Sequence, residues 1–384
     1  MRIRLFYHSL LSDWNHGNAH FLRGIASELI ARGHEVKVFE PEDGWSRRNL
    51  LSRHGPAAVK DLFRVYPALA ECVVVYPEEG LDLDRALDGA DLVLVHEWNP
   101  PWLVAAIGAR RRSGGFRLFF HDTHHRAVTE PEAMAAYDLR DYDGVLAFGE
   151  VLSDLYRRRG WARAVWTWHE AADTRVFRPL AREPAADLVW IGNWGDGERA
   201  LELGEYLLDP AQRLGLRATL YGVRWPAPAL RAVAVAGGRY RGWLPNYRVP
   251  AAFAAHRVTV HVPRAPYARD LHGIPTIRPF EAMACGIPLL CAPWTDSEGL
   301  FRAGTDYLAV TDGADMARKL IDVLNDVDLA AALAWNGRAR ILGAHTCAHR
   351  VHELLAIHSS LQPGRPARRE APVTAMEGAP SCIP

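Results

Sequence analysis

Residues 272–291 (HGIPTIRPFEAMACGIPLLC) place a carboxylate behind a glycine- and proline-containing loop, a combination that could bind a nucleotide. Free backbone N–H groups in the loop and the positive end of the following helix favour an anion. We expect Pro279 at the first helical position, Glu281 in the first turn and Gly286 just past the helix end. A carboxylate there can accept hydrogen bonds from the vicinal diol of a ribose. An ordinary loop, helix and strand of an α/β core explains the pattern equally well.

Arginines flank this loop, and the planar fork of arginine fits phosphate oxygens in pairs. These arginines are Arg264, Arg269 and Arg278. Within the loop, the candidate ligand-binding residues are Gly273, Ile274 and Thr276. A single surface arginine is usually only solvated, so the argument for an anion site depends on the three together.

A second glycine-rich turn, Gly192–Gly197 (GNWGDG), follows an expected strand at Asp187–Ile191 and precedes a helix. Glycines there let the backbone approach a pyrophosphate, with Gly192 and Asn193 as candidate contacts and Arg199 as a neutralising charge. The turn lacks the Gly-Lys-Ser/Thr of a Walker loop, and its glycine order differs from the dinucleotide fingerprint. A plain tight turn is the alternative interpretation.

Polar residues also follow a strand in the first half of the chain, at 121–125 (HDTHH). We expect His121 or Asp122 to hydrogen-bond a substrate hydroxyl or a developing charge; histidines satisfied by the backbone are the alternative. A metal site is disfavoured, because no Glu–His pair at helical spacing accompanies them. The loop after the first strand contains Gly17, which permits close approach to a ligand of the other domain.

Composition bounds the protein class. The chain has 384 residues. That length favours two domains of roughly 150 to roughly 200 residues each. Because 45 basic residues balance 45 acidic ones, we expect no nucleic-acid partner, and no apolar run is long enough to span a membrane. Five scattered cysteines favour reduced thiols in the cytoplasm. No Gly-x-Ser-x-Gly or Cys-x-x-Cys motif supports a hydrolase or an oxidoreductase.

Strands and helices alternate along the chain, and this predicts an α/β fold of two doubly wound domains facing each other across a cleft. The loops after the strands should line that cleft, and one helix is expected over Asn49–Val65. The expected segments are a first domain over 1–170, a linker over 171–184, a second domain over 185–345, a C-terminal helix over 346–361 and a disordered tail over 362–384.

Residues 278–286 (RPFEAMACG) carry a family resemblance. The chain resembles the GT-B fold glycosyltransferases of the group 1 type, related to the spore-maturation CgeB-like proteins, up to about Ile357. The other matching residues are Gly17, His121-Asp122, Ala172-Asp173, Phe177-Arg178-Pro179, Ile191–Arg199, His345-Thr346, Arg350 and Leu354-Leu355.

This resemblance implies transfer of a sugar from a nucleotide-diphosphate sugar, bound mainly by the second, Rossmann-like domain, to an acceptor on the first. It implies that Glu281 holds the donor ribose, that Arg199 and Arg278 hold the departing diphosphate, and that His121 lies near the reaction centre. No metal or cofactor is expected, because the protein supplies the cations. Retaining members carry another Glu at the position of Gly273, so this chain departs from their pattern there.

The favoured function is a cytoplasmic, metal-independent glycosyltransferase of the hexosyltransferase type, retaining by resemblance. Its acceptor could be a glycan, a lipid-linked compound or a small molecule. A sugar-nucleotide epimerase on the same fold is one alternative and would turn over without an acceptor. A degenerate glycan- or nucleotide-binding protein is another, which the glycine at position 273 allows. The sequence does not specify the base, the sugar or the acceptor, because these depend on pocket shape.

Overall fold

Apolar runs without alternation, such as LVLVH in the first half of the chain, form strands buried on both faces, as in parallel sheets covered by helices. The computed structural model describes residues 1–77 and 80–361. The strands of the first half are β1 (Arg2–Phe6), β2 (Glu35–Pro41), β3 (Val73–Tyr76), β4 (Leu92–His96), β5 (Arg117–Asp122), β6 (Gly144–Ala147) and β7 (Val165–Thr167). Its helices are α1 (Ala19–Ala31), α2 (Trp45–His54), α3 (Ala57–Val65), α4 (Leu83–Leu87), α5 (Pro101–Arg111), α6 (Arg126–Thr129), α7 (Pro131–Ala135) and α8 (Glu150–Arg159).

A second sheet follows. Its strands are β8 (Ala186–Ile191), β9 (Ala218–Tyr221), β10 (Arg239–Tyr240), β11 (His256–His261), β12 (Leu289–Cys291) and β13 (Leu308–Ala309). The helices are α9 (Ala200–Leu203), α10 (Asp209–Leu214), α11 (Ala227–Val235), α12 (Val249–Ala254), α13 (Ala265–Arg269), α14 (Ile277–Cys285), α15 (Gly313–Asn325), α16 (Val327–Ala344) and α17 (Cys347–Ser360). A π-helical turn joins α9 to α10.

Both sheets are parallel throughout and doubly wound. The first has the order β3-β2-β1-β4-β5-β6-β7 and the second β10-β9-β8-β11-β12-β13. The strand order therefore reverses beside β1 in one sheet and beside β8 in the other, and ligands of such sheets bind beyond the carboxyl ends at these points. The predicted fold class is confirmed. The tail expected over 362–384 lies outside the described residues.

The single helix expected over Asn49–Val65 is wrong, because Gly55 (φ 70°) and Pro56 divide the segment into α2 and α3. The start expected for α14 is also wrong. This helix begins at Ile277, so Glu281 is its fifth residue and lies in the second turn. The expected end is confirmed, since Gly286 is left-handed (φ 67°) and closes the helix. None of the helices in residues 1–77 and 80–361 has the length and apolar character of a membrane span.

The last helix, α17, returns from the second sheet to the first. Cys347, Val351 and Leu354 are buried in the same core cluster as the residues of β1 and α1. The indole Nε1 of Trp168, just after β7, donates a hydrogen bond to the carbonyl of Arg350 (2.9 Å). The hydrophobic core of the first domain therefore includes residues that follow the whole second sheet in the chain.

We predict that Gly24→Ala in α1 destabilises the protein by about 1–3 kcal/mol, the usual effect of overpacking. A Cβ at Gly24 would lie 2.4 Å from Cys347 Sγ and 2.9 Å from Asp173 Cβ. Gly343→Ala in α16 is the matched control, because its Cβ meets nothing within 4 Å and should stabilise by about 0.5–1 kcal/mol. Urea unfolding of both variants measures the difference. Equal stability of Gly24→Ala and the wild type would contradict the close packing of α17 on α1.

Candidate active site

The loop after β1, at the carboxyl edge of the first sheet, contacts the second domain through hydrogen bonds. Asp13 accepts hydrogen bonds from the indole of Trp243 (2.9 Å) and the backbone N–H of Asn246 (3.0 Å) in the second domain. The Asn246 amide in turn donates to the carbonyl of Gly17 (3.0 Å). Arg23 completes the contact with an ion pair to Asp13 (2.8 Å). Gly17 therefore lies at the domain boundary, and its contact with a ligand stays a prediction.

A buried histidine crosses the same boundary. His20 of α1 lies 2.9 Å, through Nδ1, from Oε1 of Glu281 in α14, and neither side chain is exposed. The Nε2 atom of His20 accepts the backbone N–H of Asp173 (2.8 Å), so the proton lies on Nδ1 and is donated to Glu281. The ring also stacks on Phe177, with centroids 3.6 Å apart. Glu281 is thus held from both sides, since Arg278 donates to its other oxygen.

Three arginines converge at the carboxyl edge of the second sheet: Arg199, Arg264 and Arg278. A Cβ at Gly195 would lie 3.1 Å from Arg264 Nε and 3.5 Å from Arg199 Nε, so the glycine-rich turn runs directly against two of them. Burial, and then repulsion by Arg264 and Arg278, lowers the pKa of Arg199 to about 9. The pKa of His261, at the end of β11, is lowered to about 3 by burial and then by Arg199 and Arg278. This "arginine cluster" is a region of concentrated positive charge.

Carboxylates offset only part of that charge. Arg264 lies 3.4 Å from Glu198, and Arg278 pairs with Glu281. Arg199 instead donates to two backbone carbonyl oxygens (2.6 and 2.7 Å), and its Nε is buried with no hydrogen-bond partner among the described residues. Because buried charges are ordinarily paired, Arg199 is the group best placed to gain from an anion. The third arginine expected from the sequence, Arg269, is exposed at the end of α13.

The glycine-rich turn is fastened to the neighbouring strand. The N–H of Gly192 donates to the carbonyl of Tyr221 (2.9 Å), and the side-chain oxygen of Asn193 accepts the N–H of Val223 (2.9 Å). The turn therefore places the side chain of Arg199 beside Arg264 and Arg278. The N–H of Gly192 and the side-chain oxygen of Asn193 are already used in hydrogen bonds within the protein.

The loop before α14 is more closed than expected. The N–H of Gly273 donates to the carbonyl of Thr295 (2.7 Å) and that of Ile274 to the carbonyl of Leu271 (3.3 Å). The expectation of free N–H groups is therefore wrong at these two positions. Thr276, just before the helix, has φ 59° and ψ 179°. Such a conformation costs a non-glycine residue about 1–3 kcal/mol and clusters at ligand-binding sites.

The surroundings of Gly273 leave no room for a side chain. Gly273 has φ 91°, and a Cβ on it would lie 2.7 Å from Ser297 Oγ and 2.8 Å from Glu298 Oε1. Glu298 accepts the backbone N–H of Glu150 (2.8 Å) and lies 2.6 Å from His169 Nε2. A larger residue at position 273 would displace this contact between the domains, and this is the physical reason for glycine there.

A second buried carboxylate, Glu170, lies at the domain boundary beside Ile274, Thr276 and Phe280. Burial, and to a lesser degree the charge of Glu281, raises the pKa of Glu170 to about 8. Its carboxyl group is therefore mostly protonated at pH 7 and can donate a hydrogen bond.

His121 and Asp122 are both fully buried. The ring of His121 packs 4.8 Å from that of Trp168, and burial lowers its pKa to about 3, so the imidazole is neutral. Asp122 accepts hydrogen bonds from the hydroxyl of Tyr156 (2.8 Å) and the N–H of His124 (3.1 Å). In this arrangement Asp122 positions the loop after β5, and the catalytic roles expected for the two residues stay predictions.

Sequence reasoning missed the residues that depend on contact between the domains: His20, Glu170 and Glu298. The partners of His20 and Glu298 lie more than 100 residues away, so no local spacing marks them. It named the histidines of the segment 121–125 but did not group His124 with His8, His16 and His96. The available signal was their position at the carboxyl ends of neighbouring strands. No three His, Cys, Asp or Glu side chains within the described ranges are arranged to hold a metal ion.

We predict that Glu170→Gln weakens the pH dependence of stability. The folded protein keeps the Glu170 proton up to about pH 8, whereas the usual pKa of an exposed glutamate is 4.5. Between these values the unfolded chain binds fewer protons, so the wild type loses free energy of unfolding as pH rises. The free energy of unfolding of the variant minus that of the wild type, measured by urea unfolding, should therefore increase from pH 5 to pH 9. Exposed Glu183→Gln is the control, and a pH-independent difference for Glu170→Gln would contradict the raised pKa.

Comparison with known families agrees with this geometry. Residues 17–176 match the family described as "Glycosyltransferase Family 4", and residues 199–356 match "Glycosyl transferase-like". No curated protein gives a significant sequence match.

Solved structures share the two-domain fold. Sucrose-phosphate synthase from Thermosynechococcus elongatus superposes with a TM-score of 0.61 at 17% identity, over 94% of this chain and 99% of that one. Anabaena Alr3699/HepE in complex with UDP-glucose gives 0.62 at 16% identity, over 94% and 100%. An alpha-glucosyltransferase in complex with UDP and DNA gives 0.67 at 12% identity, over 94% and 100%. With both halves matching glycosyltransferase families and the sheets in this arrangement, the chain is a glycosyltransferase of the GT-B fold.

Proposed function

We propose that the protein transfers a sugar from a nucleotide-diphosphate sugar, bound by the second domain, to an acceptor bound by the first. The arginine cluster is the observation that carries the proposal. Three guanidinium groups with only two adjacent carboxylates leave an excess of positive charge, which favours an anionic ligand such as a diphosphate. Anabaena Alr3699/HepE and the alpha-glucosyltransferase hold UDP or UDP-glucose, which supports the same class of donor here.

The cluster would act on the leaving group. As the bond between the sugar and the diphosphate breaks, negative charge develops on the diphosphate, and fixed cations stabilise it. Arg199 and Arg264 are held beside the glycine-rich turn and need little reorganisation. We propose no metal cofactor, because the arginines supply the charge that a divalent cation would otherwise provide.

Arg278 links the diphosphate to the ribose. In the structure it pairs with Glu281, whose carboxylate is fully buried between Arg278 and His20. We propose that Arg278 turns from Glu281 to the diphosphate when the donor binds. The freed Oε2 of Glu281 would then accept hydrogen bonds from the ribose diol, while His20 keeps Oε1 in place.

Two finer assignments belong to the same proposal. The segment 278–286 supports a place among the spore-maturation CgeB-like proteins. The cytoplasm is the proposed compartment, because Cys72, Cys285, Cys291 and Cys347 are buried free thiols.

We predict that UDP binds the purified protein equally well with Mg²⁺ and with EDTA, as measured by calorimetry. Arg199→Ala should weaken binding about tenfold or more, because a charge-assisted hydrogen bond to phosphate contributes about 1.5–3 kcal/mol. Arg264→Ala provides a second variant should Arg199→Ala fold poorly. Exposed Arg231→Ala is the matched control.

No binding of UDP, GDP or dTDP by the wild type would overturn the donor site. If Arg199→Ala binds UDP as tightly as Arg231→Ala does, the arginine cluster is not part of the donor site. Epimerisation of the donor without an acceptor would favour the epimerase, and nucleotide binding without any turnover would favour the binding protein.

We predict retention of anomeric configuration, the outcome that the resemblance implies. Proton NMR of the product formed from UDP-α-glucose, or from whichever α-linked donor the protein accepts, should show an α-linkage. A β-linked product would mean that the replacement of Glu by Gly273 accompanies a change to inversion.

A further inference from the structure

Histidines form a group at the carboxyl edge of the first sheet that the proposed donor site does not use. His8 follows β1, His16 lies in the next loop, His96 ends β4 and His124 follows β5. The ring centroid of His8 lies 4.3 Å from that of His16 and 5.0 Å from that of His96. We call these four residues the histidine cluster.

Polar atoms of three of these histidines, and of Asn18 two residues after His16, are buried without a hydrogen-bond partner among the described residues. They are His8 Nδ1, His16 Nε2, His124 Nδ1 and both amide atoms of Asn18. Asn18 is the N-cap of α1, a position where asparagine usually bonds the helix, yet its side chain makes no such bond. Because buried polar groups in folded proteins are almost always paired, these atoms indicate a ligand. Amides and neutral imidazoles both donate and accept, as hydroxyl groups do.

The imidazoles are neutral. Burial is the main cause that lowers the pKa values of His8, His16, His96 and His124, and proximity to one another or to nearby arginines lowers them further. For His16, burial and Arg23 lower the pKa to about 3. At neutral pH the histidine cluster therefore offers hydrogen bonds without charge.

The charged side chains near the histidine cluster form ion pairs with one another. Arg23 pairs with Asp13 (2.8 Å). Arg126 pairs with Glu130 (3.1 Å) and lies 3.6 Å from Glu97. Arg264, whose charge also acts on His124, faces Glu198 at 3.4 Å. A phosphate or carboxylate placed at the histidine cluster would therefore lose its hydration and meet cations that already face carboxylates, so the site disfavours a charged ligand.

An aromatic surface adjoins the cluster. The indole of Trp98 is 41% exposed, and its ring centroid lies 5.1 Å from that of His124 and 6.0 Å from that of His8. Arg126 stacks over the ring 4.5 Å from its centroid, which fixes the orientation of the indole. A rigid, half-exposed indole beside hydrogen-bonding groups matches the alternating apolar and hydroxyl faces of a sugar ring.

The histidine cluster also adjoins the proposed donor site. His125, the residue after His124, lies 3.8 Å from Glu198, which pairs with Arg264 of the arginine cluster. A hydroxyl bound at the histidine cluster would therefore lie on the side of the cleft that faces the diphosphate.

We propose that the histidine cluster, Asn18 and Trp98 form the acceptor site, and that the acceptor is an uncharged carbohydrate rather than a phosphorylated or acidic compound. This inference rests on the proposed function for its meaning, but binding of a carbohydrate can be measured without any nucleotide.

The test is saturation-transfer NMR of the full chain with methyl glucoside, methyl galactoside and methyl mannoside, against methyl glucuronide and glucose 6-phosphate as charged probes. At least one uncharged glycoside should bind more tightly than either charged probe. Asn18→Ala and His8→Ala should each raise its Kd about tenfold or more. His352→Ala, an exposed histidine of α17, is the matched control, and thermal unfolding verifies that each variant is folded.

Three outcomes would each overturn the acceptor assignment. They are preference for a charged probe, no binding of any of the three glycosides, and binding of the glycoside by the folded Asn18→Ala and His8→Ala variants with the same Kd as the wild type. Calorimetry with UDP on the same samples separates this from failure of the proposed function. Glycoside binding with no nucleotide binding would reject the transferase donor site alone, and nucleotide binding with no glycoside binding would reject the acceptor site alone.

Discussion

The imidazole of His20 is the contact on which the arrangement of the two domains depends. It donates to Glu281 of the second domain, accepts from the backbone of Asp173 in the connecting segment and stacks on Phe177. Each of its two nitrogens has one partner, so the tautomer and the ring orientation are both determined. Removing the ring would leave Glu281 and the Asp173 N–H buried with fewer partners, which costs more than the hydrogen bonds themselves contribute.

Charge is distributed unequally across the cleft that His20 spans. On the side of the second sheet, Arg199, Arg264 and Arg278 accumulate positive charge that local carboxylates only partly offset. On the side of the first sheet, burial keeps the histidine cluster neutral. The two surfaces therefore differ in charge, as the proposed separation of an anionic donor from an uncharged acceptor requires.

The sequence predicted those features that depend on local periodicity and covalent geometry. The parallel sheets follow from apolar runs alternating with helices, and Gly286 ends α14 because a left-handed residue is needed there. The start of α14 was wrong by two residues, since Pro279 is compatible with several early helical positions. The contacts of Glu281, Glu170 and Glu298 could not be predicted, because they depend on how the two sheets are placed against each other.

The return of α17 to the first domain bears on the order in which the chain acquires structure during synthesis. A first domain made of residues from β1 to β7 alone would expose the surface that Cys347, Val351 and Leu354 cover. On the ribosome, that surface stays open until residues 347–360 have emerged, after the second sheet is complete. The nascent first domain must therefore persist as an incomplete unit, and its final consolidation coincides with the docking of the two domains.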